Sequence, residues 1–521
     1  MAAADRLSAL SDDLLQHILS FAPANEAAAS ATLSRRWRPL WRRTSVLNLD
    51  SRAYDHSDDF FRHGKAALGS RLRAAPKRLT LFLVERAFLA GDSWGYLMDD
   101  DEEPAYDARI AGLLADPAAA ALEELRIAAE HSYPFIRATE PSTCLAFPCL
   151  TDLLLRGCTY LQGYLQAMVD AAPALTRLAL VDVTNKPPRP AGSGKRDHYK
   201  ESKSFNLPLH LHSPTVTTLM LETNFSHDEL DGSRNIGIQL DMPSLRSFHY
   251  KGFPVKLSLT TPAPGLARVS LDTSRRERGF YKCEPAAPML ASFSSTRALK
   301  LHLNAIEEVV SDPDDEYGDQ NPGEAIILPT FPNLKLLEIC GAFKYWNSNT
   351  ALALAMLLRA CPAMSELRLR LNMTRDYQYD CKIKEREAGG PFAQSVERFK
   401  RLASMCAEHR DDVELGAVSD LPVPFTNSCA FGFLRTSLRK VTLQFKSKEL
   451  NCLQVQLAKF LVENAMVLEE MHLEDGNQFW PDHLWDKLAR WRADTFRRKN
   501  LRDTAAGFRV YQLANPVEDL M

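Results

Sequence analysis

The sequence has no apolar run approaching the roughly 18–20 residues needed to cross a bilayer, which excludes a helical membrane span. Its ten cysteines (144, 149, 158, 283, 340, 361, 381, 406, 429 and 452) include no Cys-x-x-Cys pair and no regular framework. The spacings of common structural zinc sites and small disulfide scaffolds are therefore missing. Charge of one sign is missing too: 63 Lys and Arg stand against 66 Asp and Glu, a net −3, so nothing draws the whole chain to nucleic acid or an anionic membrane. There is no Gly-x-Ser-x-Gly elbow, no His-Glu-x-x-His and no dinucleotide glycine fingerprint. No Cys/His pair stands out as nucleophile and base, so an enzyme is not expected. Gly192-Ser193-Gly194-Lys195 lacks both the earlier glycine and the following Ser or Thr of a phosphate loop. His210-Leu211-His212 offers two imidazoles and no third ligand, so no metal and no cofactor is expected. Asp5 and Arg6 interrupt the first ten residues, so no secretory signal is expected either. The cysteines then read as reduced thiols buried as small hydrophobes, in cytoplasm and/or nucleus.

What is present is an ordinary globular balance, 45% hydrophobic and 25% charged, in 521 residues. Near the start, Ser11 followed by Asp12 and Asp13 is a helix-start signal, because a hydroxyl caps free amides and two carboxylates face the positive end of the helix dipole. Leu14, Leu15, Ile18 and Leu19 follow at helical spacing, Phe21 extends the face and Pro23 stops it. A second helix is expected to start at Asn25-Glu26 and run through the alanines to Ala31, and a third at Ser34. Trp37 and Trp41 are four apart in the third, with Pro39 making that stretch imperfect. About forty residues in three short helices cannot bury all this apolar surface internally. The surplus must meet either the rest of the chain or a partner.

Leu10-Ser11-Asp12-Asp13-Leu14-Leu15-Gln16-His17-Ile18-Leu19-Ser20-Phe21, with Leu33-Ser34-Arg35-Arg36-Trp37-Arg38-Pro39-Leu40-Trp41, resembles a plant-type F-box. Ser11 stands where that family usually has proline, and the alanine-rich middle is blander than usual. The resemblance implies docking on a Skp-family adaptor and, through it, on a cullin scaffold. It implies Leu10, Leu14, Leu15, Ile18, Leu19, Phe21, Leu33, Trp37 and Trp41 as the adaptor-binding residues. Interleaving with tryptophans makes Arg35, Arg36, Arg38, Arg42 and Arg43 read as part of a folded face, so no nucleic acid is expected.

The rest of the chain repeats itself. The pattern apolar-x-x-apolar-x-apolar, often preceded by Pro-x, recurs at Leu150/Leu153/Leu155, Leu175/Leu178/Leu180, Val216/Leu219/Leu221, Leu245/Phe248/Tyr250 and Leu266/Val269/Leu271. It returns at Leu334/Leu337/Ile339, Met364/Leu367/Leu369, Leu438/Val441/Leu443 and Leu468/Met471/Leu473, with a weaker copy at Leu122/Leu125/Ile127. Segments 161–172, 350–361 and 450–465 carry helical periodicity ahead of three of these copies. The spacing is that of a leucine-rich repeat, whose period is roughly 20–29 residues. Separate units of a doubly wound sheet are the competing reading. The stretch 438–473 resembles the FBD-type C-terminal module of plant F-box proteins.

The expected architecture is α/β: a three-helix F-box followed by a leucine-rich-repeat solenoid, with a curved parallel sheet on the concave side and helices and loops outside. The expected divisions are an F-box at 5–50, a linker and solenoid cap at 51–120, and repeats at 121–435. Loop insertions interrupt the repeats near 186–204, 312–323 and 373–435. FBD-type repeats at 436–480 and a tail at 481–521 complete the chain. Alternate strand residues point outward. Among them Arg177, Glu222, His249, Lys251, Glu338, Arg368, Arg370, Lys440 and His472 are the expected contacts to an unknown target protein. Mixed charge suits protein binding better than phosphate tracking. The function that follows is a substrate-recognition subunit of a cullin-type ubiquitin ligase. The alternative is a repeat scaffold without ligase assembly.

Overall fold

A computed structural model describes residues 7, 9–70, 75–84, 103–130, 135–136, 145–161, 163–186, 209–223, 237–253, 255–273, 286–309, 328–344, 350–374, 432–446, 452–475, 483–498 and 508–512. The chain divides into two compact units, Met1–Phe248 with Ser258–Gly265, and His249–Leu257 with Leu266–Met521. The fold is α/β, with short helices at the N-terminus and a parallel sheet in each unit. Most of the expected insertions (187–204, 312–323 and 375–431) and Gly192–Lys195 lie outside the described residues. Among the described residues no helix is long and apolar enough to cross a membrane.

In the first unit the strands Val46–Asp50, Arg78–Val84, Glu124–Glu130, Asp152–Arg156, Arg177–Val181 and Thr218–Glu222 pair in chain order, all parallel. In the second, Arg268–Asp272, Ala298–Ala305, Leu336–Lys344, Glu366–Thr374, Lys440–Lys446, Glu470–Asp475 and Arg509–Gln512 do the same. A doubly wound sheet reverses its strand order at a switch point, and neither series does. Both series also overrun the expected boundaries. Arg78–Val84, expected in a cap, pairs fully with Glu124–Glu130, and Arg509–Gln512, expected in a tail, pairs with Glu470–Asp475.

One turn explains the recurring Pro-x. The amides of Leu150, Leu175, Leu245, Leu334 and Met364 each donate to the carbonyl three residues back, at 3.0–3.3 Å. Pro148, Pro173, Pro243, Pro332 and Pro362 hold the second position of these turns, where a fixed φ favours the bend and no amide is needed. The strand then delivers its pattern leucines inward in register. Leu47, Leu79, Leu125, Leu153, Leu178 and Leu219 form one buried column, none more than 3% exposed, and Leu49, Leu81, Ile127, Leu155, Leu180 and Leu221 form the next. Each such side chain contributes about 1.5–3 kcal/mol by leaving water.

Three copies escape an apolar-only pattern. Thr44, Pro76 and Thr296 occupy the first position ahead of Leu47/Leu49, Leu79/Leu81 and Leu299/Leu301. Thr44 Oγ1 donates to Trp41 or Val46, and Thr296 Oγ1 to Ala267 or Ala298, at 2.9–3.3 Å, so a buried hydroxyl is satisfied by backbone.

Helices Tyr164–Asp170, Thr350–Arg359 and Cys452–Asn464 occupy the three segments with helical periodicity. The last is held by Arg492 of the helix His483–Arg498. Arg492 is 2% exposed, and its guanidinium donates to the carbonyls of Val462, Ala465, Met466 and Leu468 at 2.9–3.3 Å. It also packs over the rings of Phe496 and Phe508, at 4.8 and 4.6 Å. A cation thus meets the negative end of a helix dipole and carbonyls that have no intrahelical donor. Cys158, Cys340 and Cys361 are free and buried, and Cys149 is free and exposed. Burial pushes the Cys158 and Cys361 thiols up to about 12. Replacing Arg492 with Leu takes the guanidinium donor from those carbonyls, of which Ala465 keeps only the Leu468 amide. It is expected to lower the stability of the second unit by about 3 kcal/mol or more in chemical denaturation, and Arg492→Lys, lacking the fork, is expected to recover only part of it.

Candidate functional site

Three helices open the chain: α1 (Asp12–Leu19), α2 (Ala24–Ala29) and α3 (Trp37–Arg43). Ser11 caps α1, its Oγ accepting from the Leu14 amide at 3.4 Å, with Asp12 and Asp13 in the first turn. Arg36 bridges the unit's two ends, donating to Asp12 Oδ1 at 2.8 Å and to the Leu10 carbonyl at 2.5 Å. Pro39, expected to spoil the third helix, stands in the first turn of α3, where an amide has no intrahelical acceptor in any case. The middle helix begins at Ala24 and not at Asn25.

The helical period divides the nine expected docking residues. Leu15 (0% exposed), Leu19 (6%) and Trp37 (7%) are buried with Ala27 and Leu40, and Leu10, Ala22 and Trp41 pack against them. These form the unit's own core, a correction to the expectation that Leu15, Leu19 and Trp37 face a partner. Residues one apart on a helix face about 100° away from each other, so Leu14 and Ile18 point out while Leu15 and Leu19 point in. Leu14, Ile18, Phe21 and Leu33 are between 44% and 73% exposed. Leu7, standing outside the helical period and absent from the expected set, is exposed as well. These five are the only large hydrophobic residues found exposed among the described residues, and all belong to the first 33.

The N-terminal unit is bound to the sheet. Asn48, on the first strand, donates its side-chain amide to the carbonyls of Ser20 and Ala22 at 2.8 and 3.2 Å, just past the end of α1.

The F-box domain family matches residues 7–48. The chain carries an F-box at its N-terminus. Among similar proteins of Arabidopsis thaliana, an F-box/FBD/LRR-repeat protein is 46% identical over 55 residues, 11% of this chain and 12% of that one. An F-box/LRR-repeat protein is 48% identical over 52 residues, 10% of each. An FBD-associated F-box protein is 50% identical over 48 residues, 9% of this chain and 26% of that one. The chain thus matches these relatives over 10–26% of their own length, in the F-box region only.

The nine expected target contacts scatter over the outward strand faces. Arg177 is exposed and paired with Asp152, while Glu222, His249 and Lys251 are half-buried. Glu338, Arg368 and Arg370 come together, and Lys440 and His472 converge on Glu470 at 3.9 and 3.2 Å. His472 also stacks on Tyr511, centroids 4.9 Å apart. Glu338 was expected as an exposed contact; at 7% exposure it lies beneath the cations around it. His212 hydrogen-bonds Asp241 at 2.9 Å, and among the described residues no group of three ligating side chains assembles.

The hydrogen bond from His472 holds the Glu470 carboxyl below its ordinary range, with Lys440 and Arg509 adding to it. A group whose folded pKa is depressed stabilises above its unfolded pKa and ceases to do so as pH falls through the folded one. The unfolding midpoint is therefore expected to fall less steeply on acidification in Glu470→Gln than in the parent, read by calorimetry from neutral to acid pH. A second pair of variants tests the division of the F-box. Leu15→Ala is expected to destabilise it by about 2–4 kcal/mol, whereas Leu14→Ala is expected to change stability by less than about 0.5 kcal/mol, both read by amide exchange.

Proposed function

We propose that this chain is the non-catalytic substrate-recognition subunit of a cullin-type ubiquitin ligase, in cytoplasm and/or nucleus. The F-box docks on a Skp-family adaptor and through it on a cullin scaffold. A leucine-rich-repeat body closed by an FBD-type module holds a target protein. Holding target and ubiquitin-loaded enzyme together supplies the rate through proximity.

The observation that carries this reading is that, among the described residues, every exposed large hydrophobic belongs to the F-box. Leu14, Ile18 and Phe21, spaced i, i+4 and i+7, make a narrow stripe that fits an apolar groove. The strictly ordered parallel strands and Pro-x turns support the repeat body, and the mixed charges of its outward faces suit a protein target.

The alternative, a repeat scaffold whose F-box only covers the end of the sheet, draws support from the Asn48 bonds to Ser20 and Ala22. Deleting the F-box strips a cover from the first strand under either reading, so surface variants separate them. Leu14→Asp with Ile18→Asp is expected to weaken binding to a purified Skp-family adaptor by about 100-fold or more, as for two buried anchor residues, with unchanged unfolding. Normal adaptor binding by that double variant would refute the assignment. Trp37→Ala is unsuited to the purpose, because Trp37 is core.

A further inference from the structure

The residues on either side of the first position of each repeat pattern form the edge at which the strands enter. Where a cation stands just after that position, its acid can come from the same place one repeat along. Lys77 pairs in this way with Glu123 at 2.8 Å, and Arg439 pairs with Glu469. Arg246, just after Leu245, has no such counterpart: the same place holds Thr217 in the repeat before and Ala267 in the repeat after. Among the described residues no acid, carbonyl or ring engages the exposed Arg246 side chain. Beside it, within the first unit, lies a groove of about 530 Å³. Thr176, Thr217, Ser244, Pro214 and Gly265 line it together with Arg246. A Cβ built at Gly265 would meet its nearest neighbours, the Leu245 carbonyl and Arg246 Cγ, only at 3.7 and 3.8 Å, so the space next to the cation is open.

The groove also discriminates among anions. The hydroxyls of Thr176, Thr217 and Ser244 donate to the carbonyls of Thr151, Thr176 and Pro214 at 3.1, 3.2 and 2.5 Å. Their protons are spent, and their oxygens can only accept. A phosphate would set its three acceptor oxygens against these hydroxyls. A carboxylate is matched by the guanidinium fork alone, and the amides of an extended chain can donate to the hydroxyl oxygens. We propose that the groove takes an extended segment of the target protein and that Arg246 binds a Glu or Asp carboxylate on it. The target then completes from outside the pairing that Glu123 and Glu469 complete from within. This deepens the reading above and rests on it, in that the repeat body is taken to hold the target.

The test uses the full chain with its adaptor and a short fluorescent peptide of alternating Glu and Ser, read by anisotropy at physiological ionic strength. Its partners in the comparison carry Gln or phosphoserine in place of Glu. The Glu peptide is expected to bind about fivefold or more tighter than the Gln peptide and no weaker than the phosphoserine one. Arg246→Gln is expected to remove that advantage. Gly265→Leu, which fills the groove and removes no charge, is expected to weaken the Glu peptide by about the same factor. Arg156→Gln, an equal charge loss at the far end of the strand Asp152–Arg156 from the entry edge, is expected to leave affinity within about twofold. Equal binding of Glu and Gln peptides, or an unaffected Arg246→Gln, overturns the proposal. So does an equal loss in Arg156→Gln, which would mean attraction by general charge. Tighter phosphoserine binding overturns the carboxylate assignment. Should Arg246→Gln lose its unfolding transition, Gly265→Leu takes its place, and unchanged affinity there overturns the proposal equally. Leu14→Asp with Ile18→Asp, applied to the free chain, is expected to leave peptide binding intact, so failure of the docking face and failure of this site are read separately.

Discussion

The described sheets depend on one small arrangement, a backbone carbonyl that takes two consecutive amides from the next strand. Lys77 and Arg78 both donate to Ser45, Glu123 and Glu124 to Lys77, Thr151 and Asp152 to Glu123, Thr176 and Arg177 to Thr151, and Thr217 and Thr218 to Thr176. The second unit continues the rule with Lys335 and Leu336 on Arg297, Ser365 and Glu366 on Lys335, Arg439 and Lys440 on Ser365, and Glu469 and Glu470 on Arg439. Each leading residue is donor to the strand behind and acceptor for the strand ahead. A carbonyl has two lone pairs, so the double load costs nothing in geometry. The arrangement also indexes the sheet. Because these strands enter at the same point, their pattern leucines fall in columns whatever lies between. The step from Ser365 to Arg439 spans 74 residues (439 − 365), the step from Thr151 to Thr176 only 25 (176 − 151), and both end in the same bond.

That indexing is why so much of the fold was legible in the sequence. The Leu-x-x-Leu-x-Leu pattern is the direct imprint of a turn, an inward residue and a second inward residue, and every copy read from it is buried. What stayed hidden has a physical reason in each case. The strands at 46–50, 78–84 and 298–305 begin after Thr44, Pro76 and Thr296, where hydrogen bonding to backbone or proline geometry replaces an apolar anchor. Arg492 reads as one more surface cation in the basic, amphipathic helix His483–Arg498. Only the fold reveals the four carbonyls that converge on it.

The F-box was legible as a unit, but its two faces were not. Leu14 and Leu15 are the same residue type in consecutive positions, and composition cannot say which one the three-helix core takes. The core takes Leu15 because Leu15, Leu19, Trp37 and Leu40 close on one another, which leaves the neighbouring face without cover. The outward strand residues were likewise legible as positions only. Glu338 lies on the expected face, yet three cations converge on it from neighbouring strands and cover it, a many-body outcome that no single-residue rule contains.

Asn48 gives the N-terminal arrangement a mechanical character. Its amide spans Ser20 and Ala22 at the end of α1 from a residue that is itself a rung of the sheet. The end of the helix that carries the exposed stripe is therefore tied to the first strand by two hydrogen bonds from one side chain. Two amide protons thus couple the face next to that stripe to the strand ladder of the first unit, so a load on one is felt by the other.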